Sequence, residues 1–184
     1  MSLIVGIMGM SRVGKDVVGE VLTENGFKRY AFGDLVKNQY AEENNLPIEE
    51  MYNERKNFHR PGIIDHGEKK RINNPFYWID AIKNDMLNDF KNGQPIVITD
   101  IRRIPELKFI KSLKDSFGPM INLVEVIRPL DNGGIFDEDA ETSHAIVYAQ
   151  YHHLVDITLY NISTKTAFYA KAENLLGALK NRML

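Results

Sequence analysis

The chain has 184 residues, of which 43% are hydrophobic, and a formal net charge of −2; this suits one domain with a real core and excludes a disordered chain. The near-neutral balance offers no bulk basic field, which argues against a nucleic-acid polymer or an anionic membrane as partner. There is no cysteine, so disulfides, thiolate nucleophiles and Cys-ligated metals are excluded together.

In chain order, residues 3–8 form a short apolar run that reads as a buried strand. Residues 15–24 suit a helix, stopped by Asn25-Gly26. A short strand is expected over 27–32 and a helix over 34–43, with Pro47 separating it from another helix through Met51 and Phe58. Residues 59–74 hold Pro61, two glycines and several charges, and read mostly as loop with some helix. Pro75 is well placed to open a helix, because its missing N–H costs nothing there. Trp78, Ile79, Ile82, Met86, Leu87 and Phe90 follow at helical spacing, and Asn92-Gly93 ends them.

Residues 95–99 predict a second buried strand, ending at Asp100. A helix over 106–113 and a strand over 121–127 follow, the latter closed by Arg128-Pro129. Residues 131–141 contain two glycines and five acidic residues and are expected to be an exposed, mobile loop. A last strand over 155–160 and an amphipathic helix over 165–180 complete the chain. Apolar strands alternating with helices indicate an α/β layer fold with a mostly parallel sheet. With no repeat, low-complexity tract or linker, one domain over 1–184 is the simplest organisation. No secretion signal is visible at the start, and no apolar stretch is long enough to span a bilayer, so a soluble intracellular protein is expected.

The strongest motif is Gly9-Met10-Ser11-Arg12-Val13-Gly14-Lys15-Asp16. It is the Gly-x-x-x-x-Gly-Lys phosphate loop in its required setting, after a strand and opening a helix. Backbone N–H groups and the helix start make a concave anion site, and the glycines admit phosphate closely. Residues Gly9 to Val17 are therefore expected to bind ATP, with Lys15 bridging the outer two phosphates. Asp16 stands where a Ser or Thr hydroxyl usually ligates magnesium. Its carboxylate can hold the ion or one of its waters, or can simply favour the helix start.

Asp100 ends an apolar strand, where a carboxylate that positions magnesium or accepts a proton belongs. Arg102 and Arg103 follow at once and suit an acceptor phosphate or hydroxyl. Arg128, at the end of the next strand and before the acidic loop, is a candidate to stabilise the transferring phosphoryl group as a lid arginine. Arg60 and Arg71 suit either an acceptor phosphate or simple solvation. Trp78 can stack on a base or serve as a core residue. His144, His152 and His153 form no zinc pattern.

These residues resemble the phage-type deoxynucleoside monophosphate kinases, within the wider P-loop nucleoside monophosphate kinase group. Four features carry the resemblance: Gly14-Lys15-Asp16 with its acidic loop ending; Ala31-Phe32-Gly33-Asp34-Leu35-Val36-Lys37; Asn73-Asn74-Pro75-Phe76-Tyr77-Trp78; and Asp100-Ile101-Arg102 with Glu106 and then Arg128-Pro129. The resemblance implies a P-loop NTPase fold with an acceptor-binding segment over about 34–92 and a lid over about 129–145. It implies transfer of phosphate from ATP to a deoxynucleoside monophosphate, with magnesium held at Asp16 and Asp100. Asp34, Lys37, Arg60, Arg71, Trp78, Asp100, Arg102 and Glu106 would face the acceptor, and Lys15, Asp100 and Arg128 would act in the transfer. It further implies small-molecule nucleotide partners, a possible homodimer, and the cytoplasm (that of the host, for a phage protein). Two alternatives remain: another small-molecule P-loop kinase, such as one acting on dephospho-coenzyme A, and a nucleotide-binding module without turnover.

Overall fold

The computed structural model describes residues 2–10, 12–129 and 150–181. These fall into two compact units, one of residues 1–30 and 85–184, the other Ala31–Asn84. The second overlaps the expected acceptor-binding segment. Ser11, the acidic loop and the lid beyond Pro129 lie outside the described residues.

The first unit contains β1 (Ile4–Met8), α1 (Lys15–Glu24), β2 (Lys28–Tyr30), β3 (Ile96–Ile101), α5 (Ile104–Phe117), β4 (Ile121–Ile127), β5 (Ile157–Tyr160) and α6 (Lys165–Asn181). Its five strands stand in the order β2-β3-β1-β4-β5, and every pairing is parallel. Ile4 lies between Ile96 on one side and Ile121 on the other. Strand β1 is therefore central, which explains a continuous apolar run without a polar face.

Alternation along β1 divides the core. Leu3, Val5 and Ile7 join Val18, Val21 and Leu22 of α1 and Phe168, Ala172, Leu175, Leu176 and Leu179 of α6 in one cluster. Gly6 faces the other way. A methyl group there would lie 2.4 Å from Ile101 Cδ1, 3.2 Å from Ile110 Cδ1 of α5 and 3.3 Å from Leu123 Cδ1. After β1 the chain crosses to β2 on one flank, and after β3 it crosses to β4 on the other. That reversal puts a crevice at the carboxyl ends of β1 and β3.

The second unit holds α2 (Phe32–Glu43), α3 (Lys56–Asn73) and the start of α4 (Tyr77–Lys91). Three sequence expectations fail in this part of the chain. The strand expected to reach Phe32 stops at Tyr30, and Phe32 opens α2 as a buried residue. Of residues 59–74, read as mostly loop, all but Asn74 belong to an 18-residue helix that contains Pro61. The helix buries His59, His66 and Gly67, a face that apolar periodicity does not reveal. Its glycines admit α2 closely: a methyl at Gly62 would lie 2.4 Å from Tyr40 Oη, and one at Gly67 would lie 3.2 Å from Val36 Cγ1. Proline removes one helix bond, and α3 nevertheless runs on through Pro61 to Asn73. The helix expected after Pro47 is a short 3₁₀ turn, Ile48–Met51, before α3 begins. Among the described residues, no helix is long and apolar enough to cross a membrane.

Candidate active site

The loop between β1 and α1 has the backbone that its glycines permit. Gly9 and Gly14 have φ of +144° and +109°, values that disfavour any side chain. Space forbids one as well. A methyl at Gly9 would lie 2.4 Å from the Val126 carbonyl oxygen, and one at Gly14 would lie 2.8 Å from Asn161 Nδ2 and 3.0 Å from Phe168. Between the glycines, Arg12 also has positive φ, at +61°. Val13 turns inward and is buried in the α1–α6 cluster, so the loop is pinned to the core. Met10 and Val17 pack against the same cluster.

Lys15 is 6% exposed. Its Nζ donates to the Gly9 carbonyl at 2.7 Å and to the Met10 carbonyl. The ammonium is thus folded onto the loop that begins the anion site, held by oxygens that a phosphate oxygen can replace. Asp16 is exposed in the first turn of α1. The Gly14 N-cap makes no side-chain bond there, so the helix start keeps its positive end for an anion.

At the other side of the crevice, β3 carries an irregularity that the sequence does not reveal. Gly6 and Met8 pair with Ile98 and Ile101, so two steps on β1 match three on β3. The extra residue is a bulge, a feature that re-aims side chains. Ile101 keeps the apolar face beside Gly6, Thr99 packs at Gly19 of α1, and Asp100 is only half-buried. The strand therefore continues through Asp100 to Ile101 instead of ending there. Arg102 is exposed just beyond. Glu106 is buried, and its Oε2 accepts the backbone N–H groups of Arg102 at 2.7 Å and Arg103 at 2.9 Å. It thereby fixes the turn that carries Arg102. Arg128 is exposed at the end of β4.

In the helical unit, Asp34 and Lys37 of α2 form a 2.7 Å ion pair, with the Lys37 ammonium 4.4 Å from the Tyr52 ring centre. Arg60 is exposed on α3, and Arg71 pairs with Glu68 at 3.1 Å. Trp78 is buried, at 4% exposure, and its indole N–H donates to the Gly67 carbonyl at 3.2 Å. Tyr77 and His66 pack against its ring. Burial pushes the His66 imidazole below its ordinary range. Trp78 is thus a core residue of this unit, its polar atom satisfied by α3.

Sequence reading passed over two residues of the first unit. Asn161 follows β5 and braces the phosphate loop through Val13; the only signal is a polar residue directly after an apolar strand. Glu125 lies in the middle of β4, 1% exposed, opposite Met8. Its Oε2 has no hydrogen-bond partner among the described residues, and His152 Nδ1 is 3.7 Å away. Burial pushes its carboxyl above the ordinary carboxylate range, and His152 opposes this more weakly.

A glycine-shaped phosphate loop at the carboxyl edge of a 2-3-1-4-5 parallel sheet, with a lysine in its mouth, belongs to the P-loop phosphotransferases of the kinase type. Comparison with known proteins narrows the class. The chain belongs to the phosphomevalonate kinase family, whose model matches residues 7–116. No curated protein matches in sequence. Among solved structures, the chain is similar to a dephospho-CoA kinase from Campylobacter jejuni, with a TM-score of 0.52 and 14% identity, covering 100% of this chain and 98% of that one. It is also similar to TT1252 from Thermus thermophilus, with a TM-score of 0.50 and 15% identity, covering 96% and 97%. At such identities these likenesses speak for the fold.

Proposed function

We propose that the chain transfers the γ-phosphoryl group of ATP to the phosphate of a small phosphomonoester, and that the acceptor is a deoxynucleoside monophosphate. The observation that carries this reading is the Gly9–Lys15 loop, whose backbone and buried lysine are shaped for a polyphosphate. An acceptor phosphate oxygen attacks the γ-phosphorus, the bond from that phosphorus to the β–γ bridging oxygen breaks, and ADP leaves. The acceptor is already a nucleophile, so the protein's work is positioning and charge neutralisation. Lys15 exchanges the Gly9 and Met10 carbonyls for phosphate oxygens. Arg102, steadied by Glu106, grips the acceptor phosphate with its planar fork, and Arg128 offsets charge on the moving group. In the helical unit, Asp34, Lys37, Arg60 and Arg71 are the residues that the resemblance assigns to the acceptor.

Magnesium fits this donor set only as a partner of the nucleotide. Among the described residues there is no group of three or more His, Asp or Glu side chains arranged to hold an ion. Magnesium is commonly held by one or two carboxylates together with substrate phosphates, and Asp16 and Asp100 are the carboxylates that would take that part. Bound there, it would offset the charge of the triphosphate.

A second acceptor is favoured by the family match. The matching family is described as phosphomevalonate kinase, and phosphomevalonate also presents a phosphomonoester. Both acceptors use the chemistry proposed here, whereas dephospho-coenzyme A would be phosphorylated on a hydroxyl. ADP release measured over the deoxynucleoside and nucleoside monophosphates, phosphomevalonate and dephospho-coenzyme A separates them. The expected result is turnover with a deoxynucleoside monophosphate. Turnover with phosphomevalonate alone would replace the acceptor and keep the reaction class. Turnover with the hydroxyl acceptor alone would overturn the class.

A further inference from the structure

Asn161 touches the phosphate loop from a position 148 residues away in sequence. Its backbone N–H donates to the Ile127 carbonyl at 2.8 Å, which ties it to the end of β4. Its side chain is buried, and Nδ2 donates to the Val13 carbonyl at 2.9 Å. The same nitrogen stands 2.8 Å from where a Gly14 side chain would begin. Asn161 therefore closes the loop on its β5 side and makes glycine obligatory at position 14.

The bond acts on one peptide unit. The Val13–Gly14 peptide is planar and trans, so its carbonyl and its N–H point in opposite directions. Holding the Val13 carbonyl toward Asn161 turns the Gly14 N–H away from β5. Gly14 has left-handed φ, and successive N–H groups in such a conformation form an anion-binding nest. The Val13 side chain is buried in the core and cannot turn the peptide the other way. Asn161 and Val13 thus grip the same plane from both sides.

We propose that Asn161 is a positioning residue for ATP, acting through the Val13 carbonyl to present the Gly14 N–H to a nucleotide phosphate. This rests on the phosphate-loop reading above. Asparagine suits the task because its amide donates while a carboxylate of the same shape cannot. Asn161→Asp replaces the donor by an acceptor and sets it against the Val13 carbonyl oxygen.

The test is ATP affinity, acceptor constant and thermal midpoint in Asn161→Asp and Asn161→Ala, with the Gly14 amide resonance followed on adding ATP. Wild type should bind ATP and shift the Gly14 amide. Both variants should bind ATP about tenfold more weakly, as expected for a lost buried bond that orients a ligand contact, with a reduced Gly14 shift and an unchanged acceptor constant. A lower thermal midpoint with unchanged ATP affinity, measured well below the midpoint, would make Asn161 merely structural and overturn the proposal. A Gly14 amide that does not move on ATP binding to wild type would also overturn it, whether or not the variants fold. Failure of wild type to bind ATP would instead strike the phosphate-loop reading itself, and this proposal with it.

Discussion

The two units both bury apolar residues, but one helix of the second departs from the rule that the first obeys. The first buries what a sequence advertises: Ile4, Val5, Ile7, Ile96, Val97, Ile98 and Val124 are all fully buried. The helical unit inverts the rule on α3. There Phe58, Ile64 and Ile72 are 84%, 53% and 79% exposed, while His59, His66 and Gly67 are buried. Apolar burial needs only area. A face of histidines and glycines needs specific partners, and α3 has most of them: Glu50 Oε2 lies 2.9 Å from His59 Nε2, Trp78 donates to Gly67, and Tyr40 borders Gly62, while His66 Nε2 has no hydrogen-bond partner among the described residues. The first unit thus packs by apolar periodicity, whereas the second adds to its apolar residues, Phe32, Met51 and Trp78 among them, a helix seated by particular contacts.

The sharpest way to break this comparison is at the phosphate loop. Lys15→Ala should reduce turnover by about a hundred- to a thousandfold, as expected when a preorganised contact to transition-state charge is lost. The fold should survive, because the core beneath the loop is closed by Val13. Near-normal turnover in the folded variant would remove the loop from the chemistry.

Trp78 tests the other unit. Trp78→Ala should cost about 3–5 kcal/mol of stability through the cavity it leaves, with the Michaelis constant for ATP unchanged. Trp78→Leu keeps much of the apolar bulk and should cost less. A raised acceptor constant with full thermal stability in Trp78→Leu would instead assign the ring to a base contact, as the sequence resemblance implies.

The smallest effect is expected at Glu125. Burial raises its carboxyl above the ordinary value of 4.5 in the folded chain. Such a group contributes stability below the unfolded value, and that contribution is lost as pH rises through the folded one. At a pH above the folded value wild type therefore carries the cost of a buried charge, and Glu125→Gln should melt higher there. The difference should close below about pH 4.5. A difference independent of pH would mean that packing and not ionisation sets it.

Much of the first unit was legible in the sequence because its determinants are local. Helix α1 runs from Lys15 to Glu24 as expected, and strand β4 from Ile121 to Ile127. The glycines at positions 9 and 14 announce a backbone that needs them, and the positive φ angles follow. What was hidden depends on partners far along the chain. The register shift between Ile98 and Ile101 exists only against Gly6 and Met8. The bond of Asn161 to Val13 joins two loops that no spacing rule connects. Glu106, placed by resemblance at the acceptor, is engaged by the backbone of Arg102 and Arg103, a capping role that a Glu three residues past Arg103 could have suggested. Helix α3 was hidden because its apolar residues point away from its buried face.

The central claim, transfer from ATP to an acceptor phosphate, is tested most directly by following the label of γ-phosphorus-labelled ATP. The purified chain is incubated with labelled ATP, magnesium and each deoxynucleoside monophosphate, and the products are separated. The account predicts label at the terminal phosphate of a deoxynucleoside diphosphate, formed in equal amount with ADP. Label found only as inorganic phosphate, or on a hydroxyl of an acceptor, would contradict it.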